Sequence, residues 1–254
     1  MKTSLLSKII ITGAGAISLL MFTWPLLIAT EAANEAAVAQ SAFILLMPMI
    51  LILILVEFGT GGIDSRQLAI LGVLTALNAV VRMLGAGTAG VETAFFIIII
   101  SAYVFGSGFG FMLGTASLLV SALLSGGVGP WLPFQMMAAG LIGLGAGLLP
   151  KAKRKTLQLA WLIGFAVVAS FAYGSLMTMW NWPFLAGVGS SVSYSPGAGL
   201  GANILRFINY ELLTGGLIWD LGRAITTSVL ILVTAPALLA TLNRAANRAG
   251  FEKL

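Results

Sequence analysis

The sequence contains no cysteine, no histidine and few charged residues. Without cysteine there is no disulfide framework, thiol nucleophile or cysteine metal site. Without histidine, the commonest metal ligand and general base is missing. Charged residues make up 8% of the chain, against roughly 25% in an ordinary soluble domain. The missing residues exclude many enzyme mechanisms, and the low share of charged residues excludes an ordinary soluble protein.

Apolar sequence takes the place of charge, because 59% of the 254 residues are hydrophobic. Apolar runs of about 20 residues, enough to cross a hydrocarbon core of roughly 30 Å as a helix, recur along the chain. We therefore predict an all-α integral membrane protein. Its eight predicted spans are 9–28, 41–57, 66–83, 91–105, 109–125, 132–149, 157–179 and 207–241. The last span is long enough to begin as a tilted or broken helix outside the hydrocarbon.

A glycine-rich linker at 58–65 divides the predicted spans. It separates a two-span N-terminal preface, 1–57, from a six-span membrane domain, 66–254. The start of the preface also has features of a signal peptide, since lysines precede an apolar run and Ala37-Val38-Ala39 is similar to a cleavage site. The run is longer than the usual apolar region of a signal peptide, and cleavage would leave the orientation of the later spans unchanged.

The basic residues fall on one side of this topology. If the N-terminus is cytoplasmic, the outer loops receive only Arg82 and Arg206, and Arg223 lies within a helix. We expect a multi-pass protein of a prokaryotic cell membrane, and the positive-inside rule predicts that both its termini lie in the cytoplasm. The segment KAKRK at 151–155 is accordingly interpreted as a cytoplasmic anchor and not as a nucleic-acid site. The residues on the inner side are Lys2, Lys8, Arg66, Lys151, Lys153, Arg154, Lys155, Arg244, Arg248 and Lys253.

Three outer loops, 84–90, 126–131 and 180–206, combine glycine with aromatic and amide residues. In GVGPWLPFQM the two prolines fix backbone angles and present Trp131 on a stiffened corner. This tryptophan either anchors the helix among the lipid headgroups or forms the wall of an outward-facing pocket, with Gln135 as a polar contact.

The loop at 180–206 is longer than most structureless connections, which indicates either a gating lid or a disordered segment. Its candidate ligand contacts are Trp180, Asn181, Trp182 and Tyr194.

Ionisable residues within membrane spans indicate function by default, because charge in hydrocarbon is unfavourable. Asp220 and Arg223 share a helix face at i, i+3, so a structural ion pair and a ligand contact are both open. Asn209, Tyr210 and Glu211 lie nearer the outer end of the same predicted span. Two further candidates for the site, Arg82 and Glu92, flank the first outer loop, and pairing with each other is the alternative.

Two motifs bear on nucleotides and partners. The match to G-x-G-x-x-G at 85–90 joins two membrane spans instead of a strand to a helix, so the dinucleotide interpretation fails. No Walker-type sequence occurs, so ATP hydrolysis would require another subunit. A stripe of small residues on the third span is either an internal packing face or a docking face for a partner. It comprises Ala69, Gly72, Ala76 and Ala79.

The region from about 66 to 248 resembles the substrate-binding S component of an energy-coupling factor (ECF) vitamin transporter. The resemblance rests on LAILGVLTALNAVVRML, GVGPWLPFQMMAAGLIGLGAGLLP and WDLGRAITTSVLILVTAPALLATLNR. It implies a six-helix bundle, here preceded by two extra helices. The family's A-x-x-x-A docking pattern is represented by Gly72-x-x-x-Ala76, which departs from it.

The resemblance further implies capture of a vitamin at the outer face by a subunit that is not an enzyme and has no cofactor. An EcfT-like transmembrane coupling subunit and two ABC ATPases would then drive release inward. The GPW loop and the WDLGRA segment are most similar to cobalamin-type members, with riboflavin or a queuosine precursor as alternatives. An intramembrane enzyme and a structural or assembly protein are the competing classes. The absence of histidine and cysteine argues against the enzyme.

Overall fold

A computed structural model describes residues 5–27, 45–52, 55–56, 64–85, 90–185, 191–195 and 197–250. The secondary structure of these ranges is helical, without a strand, which confirms the all-α prediction. Four helices are long and apolar enough to cross a membrane, and shorter apolar helices accompany them. The chain is therefore a multi-pass membrane protein.

The helices of the described ranges are numbered in chain order. The N-terminal pair is α1 (Leu5–Phe22) and α2 (Trp24–Leu27), and residues 45–52 and 55–56 are also helical. The remaining helices are α3 (Ser65–Gly85), α4 (Phe95–Phe105), α5 (Ser107–Ser125), α6 (Leu132–Gly147), α7 (Lys155–Met179), α8 (Trp182–Leu185), α9 (Leu200–Leu213) and α10 (Gly216–Arg248).

Several predicted segments lie wholly or partly outside the described residues. The candidate cleavage site at 37–39 is outside them. The linker is described only at its last two residues, and the G-x-G-x-x-G match only at its two ends. Residues 186–190 and 196 of the predicted lid are likewise outside. The division of the chain into a preface, a linker and a membrane domain stays a prediction.

Helix α4 begins four residues later than the predicted span and has 11 residues. At 1.5 Å per residue it is about 16 Å long, roughly half the hydrocarbon thickness. Ten of its residues are buried, because α3, α5, α6, α7 and α10 all contact it. Polar groups of the segment before α4 form hydrogen bonds within the protein. The Glu92 carboxylate accepts the Ala94 N–H at 3.0 Å, and the Thr93 hydroxyl donates to the Val81 carbonyl at 2.6 Å. Non-helical backbone at membrane depth is tolerated where protein covers it.

The eighth predicted span is two helices, α9 and α10, separated at Thr214 and Gly215. Gly215 has a φ of 83°, a left-handed conformation that favours glycine. The sequence had suggested that Asn209 and Tyr210 share a helix with Asp220. The structure instead places the first two on α9 and Asp220 on α10. The predicted loop 180–206 is also shorter than expected, since it contains α8 and the first turns of α9.

Helices α5 and α6 pack with their backbones in close contact. A Cβ atom added to Gly143 would overlap the backbone of Gly110, and one added to Gly114 would overlap that of Ala139. Small residues permit this approach between membrane helices. The two helices therefore lie closer together than larger side chains at these positions would allow.

Contacts between residues far apart in the chain define two ends of the membrane domain, which differ in character. We call residues 64–70, 148–155 and 241–250 the basic end; there Arg66 donates to the carbonyl of Arg248 at 3.3 Å. We call residues 82–85, 90–95, 125–135, 173–185 and 211–223 the aromatic end. Several of the basic residues thus lie together at one end, and the side of the membrane that this end faces stays a prediction.

Candidate functional site

An ion pair lies in the interior of the aromatic end. Asp220 and Arg223 are one turn apart on α10, and their side chains are in direct contact. Gly174 of α7 makes room for this carboxylate, because a Cβ atom at Gly174 would overlap it. The Arg223 guanidinium lies 5.4 Å from the centroid of the Tyr173 ring, within the range of a cation–π contact. Asp220 is only 1% exposed, whereas the side chain of Arg223 is 19% exposed, so protein encloses the carboxylate and only part of the guanidinium.

Tyr173 is the centre around which further charged groups gather. Its ring packs edge-on against Phe95 at 4.9 Å, and Arg82, Glu92 and Arg223 all lie within electrostatic range of its hydroxyl. The structure thus brings three residues proposed from the sequence, Arg82, Glu92 and Asp220, to one region. Tyr173 itself was not predicted, although small and polar residues around it interrupt an otherwise apolar helix.

Arg82 and Glu92 do not pair with each other, contrary to the alternative drawn from the sequence. Arg82 donates to the Ser121 hydroxyl at 3.0 Å, and Glu92 accepts the backbone N–H described above. Among the described residues, Asp220–Arg223 is the pair that meets the distance of an ion pair. Arg82 therefore lies at the site with its charge uncompensated by direct contact.

Glu211, at the C-terminal end of α9, adds a second buried carboxylate. It is 5% exposed, and a Cβ atom at Gly216 would overlap its carboxylate. The Thr178 hydroxyl of α7 is the nearest donor and interacts with this carboxylate, but the contact falls short of hydrogen-bond geometry at either oxygen. Oδ2 of Asp220 likewise has no described partner. The two carboxylates are close enough to interact electrostatically.

An aromatic layer closes this end of the bundle. Phe134 and Trp180 stack with their ring centroids 4.0 Å apart and their planes 7° apart. Phe22 packs edge-on against Phe134 at 5.4 Å, and the Trp24 indole N–H donates to the Trp180 carbonyl at 2.8 Å. The N-terminal helices therefore cover the aromatic end, a contact that no feature of the sequence predicted.

A second aromatic cluster surrounds the fully buried Trp182. Its ring meets Tyr194 at 5.7 Å and Phe207 at 5.4 Å, with Tyr210 packed at the edge of the cluster. The Trp182 N–H donates to the carbonyl of Val192 at 3.0 Å. The cluster fastens the described part of the predicted lid to α9.

Other predicted site residues lie apart from these groups. Trp131 is 45% exposed, and its indole folds back over Gly129. Gln135 and Asn181 are half-buried, and Asn209 is exposed on α9. These residues stay predictions. The structure adds Tyr173 and Phe134 to the candidate site, beside Glu211 and Trp180, which the sequence had already suggested.

The predicted docking stripe on α3 divides between two faces. Ala69, Gly72 and Ala76 are exposed, and a Cβ atom at Gly72 would meet no atom within 4 Å. Ala79, in contrast, is fully buried. It lies on the face that packs against α5, where neighbouring Asn78 donates to the Ser117 hydroxyl at 2.9 Å. The stripe open to a partner therefore comprises the first three residues.

Comparison with known proteins gives one family. The sequence model described as "ECF transporter, substrate-specific component" matches residues 66–242, more than half of the chain. The match begins at the start of α3 and ends within α10, so α1 and α2 lie outside it. Neither a curated protein nor a solved structure matches the chain. With six apolar helices in the matched region, the chain belongs to the family of substrate-specific components of ECF transporters.

Proposed function

We propose that this protein captures a vitamin or related micronutrient at its aromatic end and delivers it to the cytoplasm. The observation that carries the proposal is the buried cluster around Tyr173, Asp220 and Glu211 beneath the Phe134–Trp180 stack. Ionisable side chains inside a membrane bundle are unfavourable and mark solute sites by default. A layer of aromatic rings over a few polar groups is the composition of a small-molecule pocket.

In this proposal the basic end faces the cytoplasm and the aromatic end faces the medium, as the positive-inside rule favours. The protein supplies binding only. A transmembrane coupling subunit and two ABC ATPases supply the energy, in keeping with the other components of such transporters. The exposed stripe Ala69, Gly72 and Ala76 is the proposed contact with the coupling subunit, because small residues allow helices to approach closely.

The solute is proposed to be a corrinoid, with riboflavin or a queuosine precursor as alternatives. Mass spectrometry of small molecules that co-purify with the chain distinguishes them, and a mock purification from membranes lacking the chain is the control. We expect one such compound in a fixed ratio to protein. A preparation that contained protein partners but no small molecule would favour an assembly role instead.

Sidedness has its own test, because the chain has no native cysteine. Val128→Cys at the aromatic end and Lys153→Cys at the basic end each create one thiol at an exposed position. With a membrane-impermeant maleimide on intact cells, we expect labelling of Val128→Cys alone. Labelling of Lys153→Cys from outside would place the site on the wrong side for uptake.

A further inference from the structure

We propose, resting on the function above, that the site selects a neutral or cationic ligand whose amide or amine N–H groups bind the carboxylates of Glu211 and Asp220. The ligand presents no carboxylate or phosphate to this part of the site. The inference concerns the chemical class of the solute, which the family leaves open.

The two carboxylates approach the same face of α7. Asp220 packs against Gly174, and Glu211 lies beside Thr178, one helical turn further along. Residues four apart on a helix share a face, so the two acids form neighbouring positions along one wall. Each acid also occupies space left by a glycine, Gly174 or Gly216. This arrangement positions both carboxylates for one ligand.

Few protein donors surround these acids, and the Thr178 hydroxyl beside Glu211 does not reach hydrogen-bond geometry. Neither oxygen of Glu211 and only one oxygen of Asp220 has a described hydrogen-bond partner. Both residues are more than nine-tenths buried, and a buried acceptor without a donor is unfavourable, more so when it is charged. A ligand with N–H donors removes this penalty on binding.

The charge balance of the cluster points the same way. Three carboxylates, Glu92, Glu211 and Asp220, face two guanidinium groups, Arg82 and Arg223. Acidic side chains therefore outnumber basic ones in the cluster, and an acidic ligand would add to them. Two buried donors at this end, Nε of Arg82 and Nε1 of Trp180, also have no described partner. An amide satisfies both requirements, since its N–H groups donate and its oxygen accepts.

The test uses the purified full chain and the variant Glu211→Gln. The probes are cyanocobalamin, riboflavin and thiamine, which are neutral or cationic and carry N–H groups, and biotin and pantothenate, which carry carboxylates. We expect the full chain to bind a probe of the first group. The affinity for that probe should fall roughly tenfold to a hundredfold in Glu211→Gln, because charge-assisted hydrogen bonds are lost. The unliganded variant should melt at a higher temperature, because an unpaired buried charge has been removed.

Two variants control this experiment. Asp64→Asn makes the same chemical change at an exposed acid of the basic end and should alter neither affinity nor melting. Gly216→Ala keeps every charge but fills the space occupied by the Glu211 carboxylate, so it should lower the affinity for the same ligand.

The outcomes separate the two proposals. Binding of biotin or pantothenate, undiminished by Glu211→Gln, would overturn the ligand class and leave the uptake function standing. Failure of Glu211→Gln to fold would identify a structural carboxylate and overturn the inference as well. If no probe and no co-purified molecule bound, the uptake function and the inference would both fall.

Discussion

Gly174 has no side chain at the point where the carboxylate of Asp220 packs, and Gly216 has none where Glu211 packs. At the scale of single residues, these glycines let polar groups lie inside the bundle without displacing a helix. They differ from Gly164, also on α7, where an added Cβ atom would meet nothing within 4 Å. The local surroundings, and not the residue type, decide what each glycine contributes.

The variant Gly174→Ala tests this role. Its methyl group would overlap the Asp220 carboxylate, and we expect a loss of about 1–3 kcal/mol in the free energy of unfolding, typical of an overpacked core. Gly164→Ala is the matched control and should keep or slightly raise stability, because alanine favours helix. The measurement is thermal unfolding of both variants in detergent. Equal melting temperatures would contradict the packing of Asp220 against α7.

Lys151 at the basic end gives a prediction on pH. Its amine lies 4.3 Å from the centroid of the Tyr103 ring, and desolvation lowers the pKa of Lys151 from 10.5 to about 8. The unfolded chain keeps the proton of Lys151 to a higher pH than the folded chain does. The contribution of Lys151 to the free energy of unfolding therefore rises with pH between about 8 and 10.5.

The measurement is the rate of Lys151 modification by an amine-reactive reagent, which attacks the neutral amine. We expect the rate to rise with a midpoint near pH 8, following the pKa of about 8. Peptide mapping separates Lys151 from the other lysines of the loop. A midpoint near pH 10.5 would show an amine that is fully solvated.

At the scale of helices, the α5–α6 pair depends on direct backbone contact. A Cβ atom on Gly143 would overlap Gly110, and a backbone cannot move aside as the end of a flexible side chain does. We expect Gly143→Ala to lower the free energy of unfolding by about 3 kcal/mol. Gly72→Ala on the open face of α3 is the control and should be neutral. A stable Gly143→Ala variant would mean that α5 and α6 are further apart.

The N-terminal helices give a second prediction at this scale. Trp24 is 1% exposed and bonds to Trp180, although the family match begins only at residue 66. Trp24→Ala should cost about 3–5 kcal/mol of packing and loosen α2 from the aromatic end. Val128→Cys labelling serves as a control for topology. Protease sensitivity near residue 24 should increase, and unchanged sensitivity would contradict the contact.

At the scale of the whole molecule, the exposed stripe on α3 adjoins a cleft at the basic end. This cleft has a volume of about 700 Å³, and Arg66, Ala69, Arg244 and Arg248 are among its lining residues. The stripe and the cleft together form a continuous surface of small and basic residues. A partner helix that carries acidic residues beside the basic end would match the small and basic residues of this surface.

The variant Gly72→Leu tests this surface. Because nothing lies within 4 Å of the added Cβ atom, the isolated chain should fold and bind solute normally. We expect loss of co-purification with the coexpressed coupling subunit and ATPases, since a bulky side chain keeps helices apart. Gly164→Leu, at an open position on α7, is the control and should assemble. Equal recovery of partners in both variants would remove the proposed docking face.

Much of the fold followed from local sequence, but less of the site did. Spans at 66–83, 109–125, 132–149 and 157–179 agree with α3, α5, α6 and α7 to within two residues at each end, because apolar length is a local property. A broken helix was one of the forms predicted for the last span, but the position of the break at Thr214–Gly215 was not predicted, since apolar residues continue on both sides of it. Arg82 and Glu92 flank one predicted loop, but the approach of Asp220 to them was not derivable, because Asp220 is far from both in the chain.

By itself, the sequence determined that this protein lies in a membrane, that it is helical, and that its basic and aromatic loops are separate. Each follows from hydropathy and charge counted along the chain. Only the tertiary structure decided that Trp24 covers Trp180, that Ala79 faces inward, and that Glu211 and Asp220 approach one face of α7. These depend on the rotation and spacing of packed helices, which contacts between distant residues fix.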